Sequence, residues 1–516
     1  MRDNEVVTVG PEPLNFEEVI RVARHGAPVR LSDDAIAAIS AARQRVDELA
    51  ESPTPAYGVS TGFGALATRH IDPALRAQLQ RSLVRSHAAG SGPEVETEVV
   101  RALMLLRLHT LATGHTGIRP TTAKTLAAVI SAGITPIVHE YGSLGCSGDL
   151  APLAHAALTL MGEGVVRDRS GNTVQAAEAL KQAGIEPVEL AAKEGLALIN
   201  GTDGMLGMLI LAIADLTRLL RTADISAAMS VEALLGTDRV FAPELQALRP
   251  QPGQALAAAN MTRVLAGSGI MASHREPENC TRVQDAYSLR CAPQVAGAAR
   301  DTLAHAANVA TWELASAVDN PAVLADGRVE SNGNFHGAPV AYVLDFLAIV
   351  AADVASMSER RTDRFLDVAR NHGLPAFLAD DPGVDSGHMI AQYTQAAIVS
   401  ELKRLAVPAS VDSIPSSAMQ EDHVSMGWSA ARKLRRAVDG LTRVLAIEVL
   451  TAARALDLRA PLTPAPATGA VVAALRESVP GPGTDRFLAP EIENAVALVA
   501  DGAVVRAVEG VTGPLA

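Results

Sequence analysis

The chain has few cysteines. Only Cys146, Cys280 and Cys291 occur among its 516 residues, and no two of them form a C-x-x-C motif. A small, odd number of thiols argues against a disulfide framework, and the absence of paired cysteines argues against a structural zinc site. We therefore expect the protein to work in a reducing compartment.

Aromatic residues are also scarce. They make up 3% of the chain, whereas hydrophobic residues as a whole make up 48%. The core must therefore consist mainly of alanine and aliphatic side chains, a composition that favours packed helices over sheets. The sequence thus predicts a mainly α protein.

Basic clusters, long apolar runs and a signal peptide are missing as well. The net charge is −13 and the isoelectric point is about 5.5, so no nucleic-acid partner is expected. The apolar stretch 204–214 is shorter than the ~20 residues that a membrane helix needs. The first residues lack the apolar segment of a signal peptide. These absences predict a soluble, cytoplasmic protein without a membrane partner.

One glycine-rich loop between Tyr141 and His155 is the most informative part of the sequence. Glycines recur at positions 142, 145 and 148, and the apolar residues that follow Pro152 predict a helix. Taken alone, the loop is compatible with a helix entry without chemistry or with a nucleophilic Ser147 or Cys146. The serine-hydrolase elbow requires Gly-x-Ser-x-Gly, and the glycines here have a different spacing.

A third kind of chemistry is open to Cys146-Ser147-Gly148. Attack of the Gly148 amide nitrogen on the Cys146 carbonyl carbon would close a five-membered ring. Loss of water from the ring and from the Ser147 side chain would leave a methylene group conjugated to a carbonyl. Such a product is a strong electrophile. Cys146 contributes only backbone atoms to the ring, so its side chain is free to vary.

The run Gly-Ser-Leu-Gly-Cys-Ser-Gly-Asp-Leu-Ala-Pro-Leu at 142–153 resembles the signature of the aromatic amino acid ammonia-lyase family, in particular its histidine ammonia-lyase branch. The resemblance implies that Cys146, Ser147 and Gly148 form a catalytic 4-methylidene-imidazol-5-one group autocatalytically. Cys146 replaces the commoner alanine. Neither a metal nor a nucleotide cofactor is expected.

The resemblance extends to further candidate site residues. Tyr57, in the loop Tyr-Gly-Val-Ser-Thr-Gly-Phe-Gly, is implied as the general base for the substrate β-proton. Arg290 is implied as the ligand of the substrate carboxylate, since a guanidinium group binds carboxylates bidentately. The resemblance places Tyr287, as a catalytic residue, and Gln284 beside Arg290. It places Asn200 near the electrophile and the substrate carboxylate, and Phe335 near the substrate ring.

Two segments resemble the histidine-specific branch in particular. Ser86-His87 stands where relatives acting on tyrosine or phenylalanine carry His-Leu or Phe-Leu, and Glu421 lies in the matching run Gln-Glu-Asp-His. His87 and Glu421 are therefore implied as ligands of the substrate imidazole. Asp203 and Met419 depart from the family pattern, which commonly has Gln and Asn there, and the role of both positions is open.

The implied fold is a long-helix bundle of the ammonia-lyase, L-aspartase-like kind. We expect a smaller mixed N-terminal domain, 1–115, with active-site loops, and a bundle domain, 116–516, with the prosthetic group and the C-terminal helices. The implied protein is a homotetramer with sites shared between subunits. Its reaction would convert L-histidine to trans-urocanate and ammonia, the first step of histidine degradation. A related aromatic amino acid ammonia-lyase or aminomutase, and an inactive helical scaffold, are the alternatives.

Overall fold

The computed structural model describes residues 5–51, 58, 60–62, 69, 71–275, 280 and 283–516. Helices dominate these residues, and the predicted mainly α class is confirmed. The helices are α1 Phe16–His25, α2 Asp33–Glu51, α3 Arg76–His87, α4 Thr97–Ala112, α5 Pro120–Ser131, α6 Leu150–Leu160, α7 Ala176–Gln182, α8 Glu194–Ile199, α9 Asp203–Ala233, α10 Pro243–Ala247, α11 Pro252–Val264, α12 Gly269–Ser273, α13 Tyr287–Arg290, α14 Ala292–Leu314, α15 Ala338–Leu366, α16 Met389–Leu405, α17 Gly427–Asp457, α18 Pro466–Arg476, α19 Ala489–Ala500 and α20 Ala503–Thr512.

The strands are short and pair in four small sheets. They are β1 Val7–Val9, β2 Val29–Leu31, β3 Ser91–Glu94, β4 Thr135–Pro136, β5 His139–Tyr141, β6 Val165–Arg167, β7 Thr173–Gln175, β8 Ala322–Val323 and β9 Val329–Glu330. β1 pairs with β2 in parallel, with Val7 opposite Val29. The other pairs, β3–β5, β4–β6, β6–β7 and β8–β9, are antiparallel.

Contacts divide the chain into two units. The first contains 1–211, 307–345 and 408–432, and the second contains 212–306, 346–407 and 433–516. Each strand named above belongs to the first unit, whereas the described part of the second unit has helices and no strand. Residues 1–115 fall within the first unit, and the predicted domain boundary after residue 115 stays a prediction.

Local sequence signals explain where many helices begin and end. At α1, the Asn15 side chain accepts a hydrogen bond from the Glu18 amide, and the Glu18 side chain accepts one from the Asn15 amide. This reciprocal capping box satisfies donors that the first turn leaves unpaired. Pro120 opens α5 at a position where a missing amide hydrogen costs nothing. The sequence predicts both starts, from Asn15 with Glu18 three residues on and from Pro120 at the first helical position, and the structure confirms them.

After Pro461 and Pro464 the sequence predicts two shorter helices that complete the chain. The structure has three helices there, α18, α19 and α20. The extra break follows Asp501, where Gly502 takes a left-handed conformation with φ of 79° and lets the chain turn at once into α20. Glycine adopts this conformation without the steric cost of a side chain.

One helix of the described residues, α15, is long and apolar enough to cross a membrane by length and composition alone. However, 67% of its most apolar stretch is buried inside the protein. Burial of this kind is typical of the core helix of a large helical domain, which is apolar on most of its faces.

A buried carboxylate joins three long helices in the second unit. Glu448 of α17 accepts hydrogen bonds from Ser226 at 2.9 Å and Ser230 at 2.7 Å, both on α9, and from Ser358 of α15 at 2.6 Å. Arg361 of α15 binds both carboxylate oxygens, at 2.5 and 2.9 Å. The Glu448 side chain is fully buried, so these donors replace the water that it loses on folding.

Removing this carboxylate is expected to destabilise the second unit strongly. Glu448→Ala leaves the Arg361 guanidinium buried without its partner, and breaking a buried pair from one side typically costs about 3–5 kcal/mol. Urea unfolding followed by circular dichroism measures the loss. Glu401→Ala is the matched control, because Glu401 pairs with Arg404 on the exposed face of α16 and a surface pair contributes at most ~1 kcal/mol. Equal losses in the two variants would contradict the assignment.

Candidate active site

The segment Cys146-Ser147-Gly148 forms a tight turn before α6. A backbone bridge joins Gly145 to Gly148 across the turn, and Ser147 has φ of 53°. A Cβ atom at position 148 would lie 2.1 Å from the carbonyl oxygen of Gly201, which no side chain could tolerate. The backbone of this turn is therefore packed directly against another backbone segment, and only glycine fits there.

Hydrogen bonds fix the turn from both sides. Ser143 Oγ accepts from the Gly145 amide and donates to Asp149 Oδ1, both at 3.2 Å. The Asp149 amide donates to the Gly201 carbonyl at 2.7 Å. On the other side, the Met426 amide donates to the Leu144 carbonyl at 3.0 Å. The reactive tripeptide predicted from the sequence is thus held by segments far away along the chain.

Asp149 is a fully buried carboxyl group at the end of this turn. Its Oδ2 accepts a hydrogen bond from the Met205 amide at 2.9 Å. Burial raises the pKa of Asp149 to about 7, and the negative charge of Asp203 adds to the rise, while the hydrogen bonds to the carboxylate oppose it. Asp149 can therefore hold or release a proton beside the turn near neutral pH.

Arg107 organises the segment that packs against Gly148. Its guanidinium group, 1% exposed, donates to the Asn200 carbonyl at 2.8 Å and to the Val318 carbonyl at 2.9 Å. It also forms an ion pair with Asp203 at 3.5 Å. Burial raises the pKa of Asp203, and the charge of Arg107 counteracts the rise. The aspartate at position 203, where the family commonly has glutamine, is thus paired in this chain with the buried Arg107, a contact that the sequence did not reveal.

Two hydrogen bonds from its amide nitrogen orient the Asn200 side chain. This nitrogen donates to Asp319 Oδ1 at 3.2 Å and to the Asn320 carbonyl at 3.0 Å. Asp319 in turn binds the fully buried Lys193 ammonium at 2.5 Å. Asn200 Oδ1 is buried and has no hydrogen-bond partner among the described residues. An acceptor is therefore fixed in position, with its capacity unused.

Glu421 lies close enough to Cys146 for its charge to act on the thiol. Burial raises the pKa of Cys146, and the negative charge of Glu421 raises it further. The Glu421 backbone carbonyl accepts from the Ser416 amide at 3.0 Å. Within the described parts of the chain, Glu421 Oε2 is buried without a hydrogen-bond partner. This oxygen can accept a hydrogen bond from an N–H or O–H group of a ligand.

The loop that carries Phe335 lies near the turn at Cys146-Ser147-Gly148. Phe335 is half-buried, and a Cβ at the nearby Gly337 would lie 3.1 Å from Ser425 Oγ. The same hydroxyl would lie 2.1 Å from a Cβ at Gly145. His336 stacks on His423, with ring centroids 5.5 Å apart and planes 9° from parallel. The shared neighbour Ser425 therefore places this loop beside the central turn.

His87 ends α3, where Ser86 Oγ lies 3.1 Å from its Nδ1. Burial lowers the pKa of His87, so the ring is neutral at neutral pH. The chain then turns, and the Gly90 amide donates to His155 Nε2 at 3.1 Å. His155 belongs to α6, the helix that follows the central turn. This hydrogen bond fixes the His87 turn relative to that helix.

Met419 occupies an unusual backbone position. Its φ is 71°, in the left-handed region, and its side chain is 67% exposed. Asparagine tolerates this conformation much better than methionine does. The family's usual asparagine is therefore explained by the backbone, whereas nothing in the structure explains the methionine.

The remaining predicted residues group together in the second unit. The Arg290 guanidinium carbon lies 4.6 Å from the centre of the Tyr287 ring, within the short helix α13. Gln284 and Arg290 line a cavity of about 470 Å³. The Arg290 Nε atom is buried without a hydrogen-bond partner in the described residues, whereas Tyr287 is 70% exposed. Tyr57 lies outside the described residues.

The chain is similar to known proteins over nearly its whole length. The family model for aromatic amino acid lyases matches residues 14–477. A histidine ammonia-lyase of Streptomyces avermitilis is 68% identical over 511 residues, which cover 99% of each chain.

Solved structures are similar over nearly the whole chain. A tyrosine aminomutase from Streptomyces globisporus superposes with a TM-score of 0.93 at 40% identity, covering 98% of both chains. A histidine ammonia-lyase from Trypanosoma cruzi superposes with a TM-score of 0.90 at 38% identity, covering 98% of this chain and 95% of that one. This chain belongs to the aromatic amino acid lyase family.

Proposed function

We propose that this protein is a histidine ammonia-lyase, which eliminates ammonia from L-histidine to give trans-urocanate. The proposal is supported by curated relatives of that name that are 67–69% identical over nearly the full chain. Aminomutases with similar structures are more distant, at 40% identity. The reaction is a carbon–nitrogen bond cleavage without net oxidation.

One observation carries the choice of histidine over other aromatic amino acids. Glu421 presents a buried carboxylate oxygen without a partner beside the Cys146 turn. An imidazole N–H satisfies such an acceptor, whereas a phenyl ring leaves it buried and unpaired, at a cost of about 1–3 kcal/mol. A site built to hydrogen-bond its substrate rejects analogues that lack the group. The neutral ring of His87 can serve as a second imidazole ligand.

The Cys146-Ser147-Gly148 turn is the proposed source of a 4-methylidene-imidazol-5-one group. The residues present fit this group, because the turn brings positions 146–148 into a tight bend and leaves no space for a Cβ at 148. When formed, the group supplies an electrophile, which ordinary side chains do not provide. Asp149 and Ser143 hold the backbone of the turn in place.

Separate residues are proposed to bind the rest of the substrate. Asn200 Oδ1 is an available acceptor for the substrate amino group, and Arg290 is the proposed carboxylate ligand. Phe335 is proposed to contact the ring. Tyr57 is proposed to remove the β-proton, with Tyr287 and Gln284 assisting. The roles of these residues stay predictions.

The assembly and the cellular setting are also proposals. We expect a homotetramer whose sites are shared between subunits, acting in the cytoplasm at the first step of histidine degradation. Light scattering of the purified protein measures the mass of the assembly. A monomer with full activity would refute the shared site.

Replacing the hydroxyl that leaves during ring formation is expected to abolish the prosthetic group. The intact mass of the wild-type chain should fall below the sequence mass by two water molecules, and Ser147→Ala should not show this deficit. Because positioned acid–base groups alone contribute only about 10²–10⁴-fold, urocanate formation by the variant should fall by at least about 10³-fold. Mass spectrometry and the near-ultraviolet absorbance of urocanate measure the two effects.

Cys146→Ala separates the ring from the thiol, because Cys146 contributes only backbone atoms to the ring. This variant should keep the mass deficit. A wild-type chain with the full sequence mass, or Ser147→Ala with undiminished turnover, would contradict the prosthetic-group assignment while leaving the family assignment intact.

Removing the charge of Glu421 is expected to weaken catalysis on histidine selectively. Loss of one hydrogen bond to a charged group corresponds to a decrease in kcat/KM of about ten- to a hundredfold for Glu421→Gln. Asp422→Asn is the matched control, because the neighbouring Asp422 is exposed and should change kcat/KM by at most about twofold.

A substrate panel with L-histidine, L-tyrosine and L-phenylalanine completes the test. The wild-type protein should consume only histidine at an appreciable rate. Preferred turnover of tyrosine, or formation of a β-amino acid, would replace the proposed function with that of a sibling lyase or aminomutase. Equal kcat/KM values for Glu421→Gln and the wild type would remove Glu421 from the site.

A further inference from the structure

A basic cavity lies in the first unit, built from different residues than the candidate active site. Its volume is about 550 Å³, within the range of pockets that hold small molecules. The end of α1, one face of α4 and the turn between β6 and β7 line it. Four arginines contribute to this lining, Arg24, Arg101, Arg167 and Arg169. Such a cluster is unexpected in a chain with a net charge of −13.

Two of these arginines have carboxylate partners that account for them. Arg24 binds Glu98 at 2.7 Å, and Arg167 binds Glu94 through two hydrogen bonds of 2.6 and 2.9 Å. Arg24 also lies in the last turn of α1, where the helix dipole favours a cation. These two residues need no ligand to explain them.

Asp168, the other acidic residue of the lining, is engaged in its own turn. Its carboxylate accepts hydrogen bonds from the amides of Ser170 and Asn172, both at 2.8 Å, and from the Asn172 side chain at 3.1 Å. These bonds lower the pKa of Asp168. Its lone pairs are thus used to stabilise the turn between β6 and β7.

Arg101 is held in the wall of the cavity with unused hydrogen-bonding capacity. Its Nε donates to the Val22 carbonyl at 2.9 Å, which fixes the plane of the guanidinium group. Its Nη2 is buried and has no hydrogen-bond partner in the part of the chain that the structure describes. A Cβ at Gly26 would lie 3.5 Å from Nη2, so the end of α1 covers this side of the group.

Arg169 adds a second charge to the lining of the cavity. Its stem lies against Gly133, where a Cβ would be 3.2 Å from the arginine Cγ, and its side chain is exposed. Burial lowers the pKa of Arg101, and the positive charge of Arg169 lowers it further. The two guanidinium groups therefore repel each other, and an anion between them would relieve this repulsion.

We propose that this cavity binds a small polyanion, bearing phosphate or several carboxylate groups, through Arg101 and Arg169. Guanidinium groups match the geometry of both anions with paired, charge-assisted hydrogen bonds. The anion satisfies the buried Nη2 of Arg101 and neutralises the charges of Arg101 and Arg169. The site is separate from the residues proposed to act on histidine and does not depend on that function.

Isothermal titration of the full-length protein with pyrophosphate and, separately, with citrate tests the proposal. Saturable binding of at least one probe is expected, with one site per chain, and the stronger probe identifies the class of anion. Arg169→Gln should raise Kd by roughly tenfold, the effect of one lost charge-assisted hydrogen bond. This variant changes an exposed side chain and should keep the wild-type circular dichroism spectrum.

Lys124→Gln is the matched control, because it removes the same charge from an exposed position of α5 outside the cavity. Its Kd should stay within about twofold of the wild type. The absence of saturable binding for both probes would overturn the proposal. Equal weakening in the two variants would also overturn it, since it would show a general effect of net charge.

Discussion

The close approach of two backbone segments, at Gly148 and Gly201, is the constraint on which the candidate site depends. The carbonyl oxygen of Gly201 occupies the space that a side chain at 148 would need, and it also accepts the amide hydrogen of Asp149. The segment around Gly201 begins α9, and the segment around Gly148 begins α6. Two helix starts are thus joined through their backbones, which leaves the bend at Cys146 and Ser147 no freedom to relax. Such rigidity is what a ring closure within the main chain requires, because the reacting atoms must be held near each other.

Buried charges maintain this approach. Arg107 and Lys193 are both withdrawn from water, and each is matched with an acid, Asp203 and Asp319 respectively. Pairs of this kind contribute little to net stability, because the cost of desolvation offsets the attraction. Their geometric effect is larger: Arg107 fixes the Asn200 carbonyl, and Asp319 fixes the Asn200 amide. We therefore attribute these pairs to the positioning of the 200–203 segment.

Sequence reasoning succeeded where the signal was local. The Asn15–Glu18 capping box and the helix opened by Pro120 each depend on residues a few positions apart. It also singled out the tripeptide at 146–148, which the structure shows as a tight turn; its chemistry stays a prediction. It did not find the pairing of Lys193 with Asp319 or of Arg361 with Glu448, which join residues 126 and 87 positions apart. Hydrophobic periodicity contains no information on which charged residues are buried or with which partners.

Two unpaired polar atoms near the central turn support the proposed substrate contacts on grounds other than the family motifs. A buried polar atom without a partner is destabilising, and folded proteins contain few of them. Asn200 Oδ1 and Glu421 Oε2 are two such atoms among the described residues. Sequence motifs alone had also predicted both residues to belong to the site. The Asn200 amide nitrogen is held by two hydrogen bonds, and the Glu421 backbone carbonyl accepts one. Contact with a substrate that brings its own N–H groups, as proposed above, would satisfy both atoms.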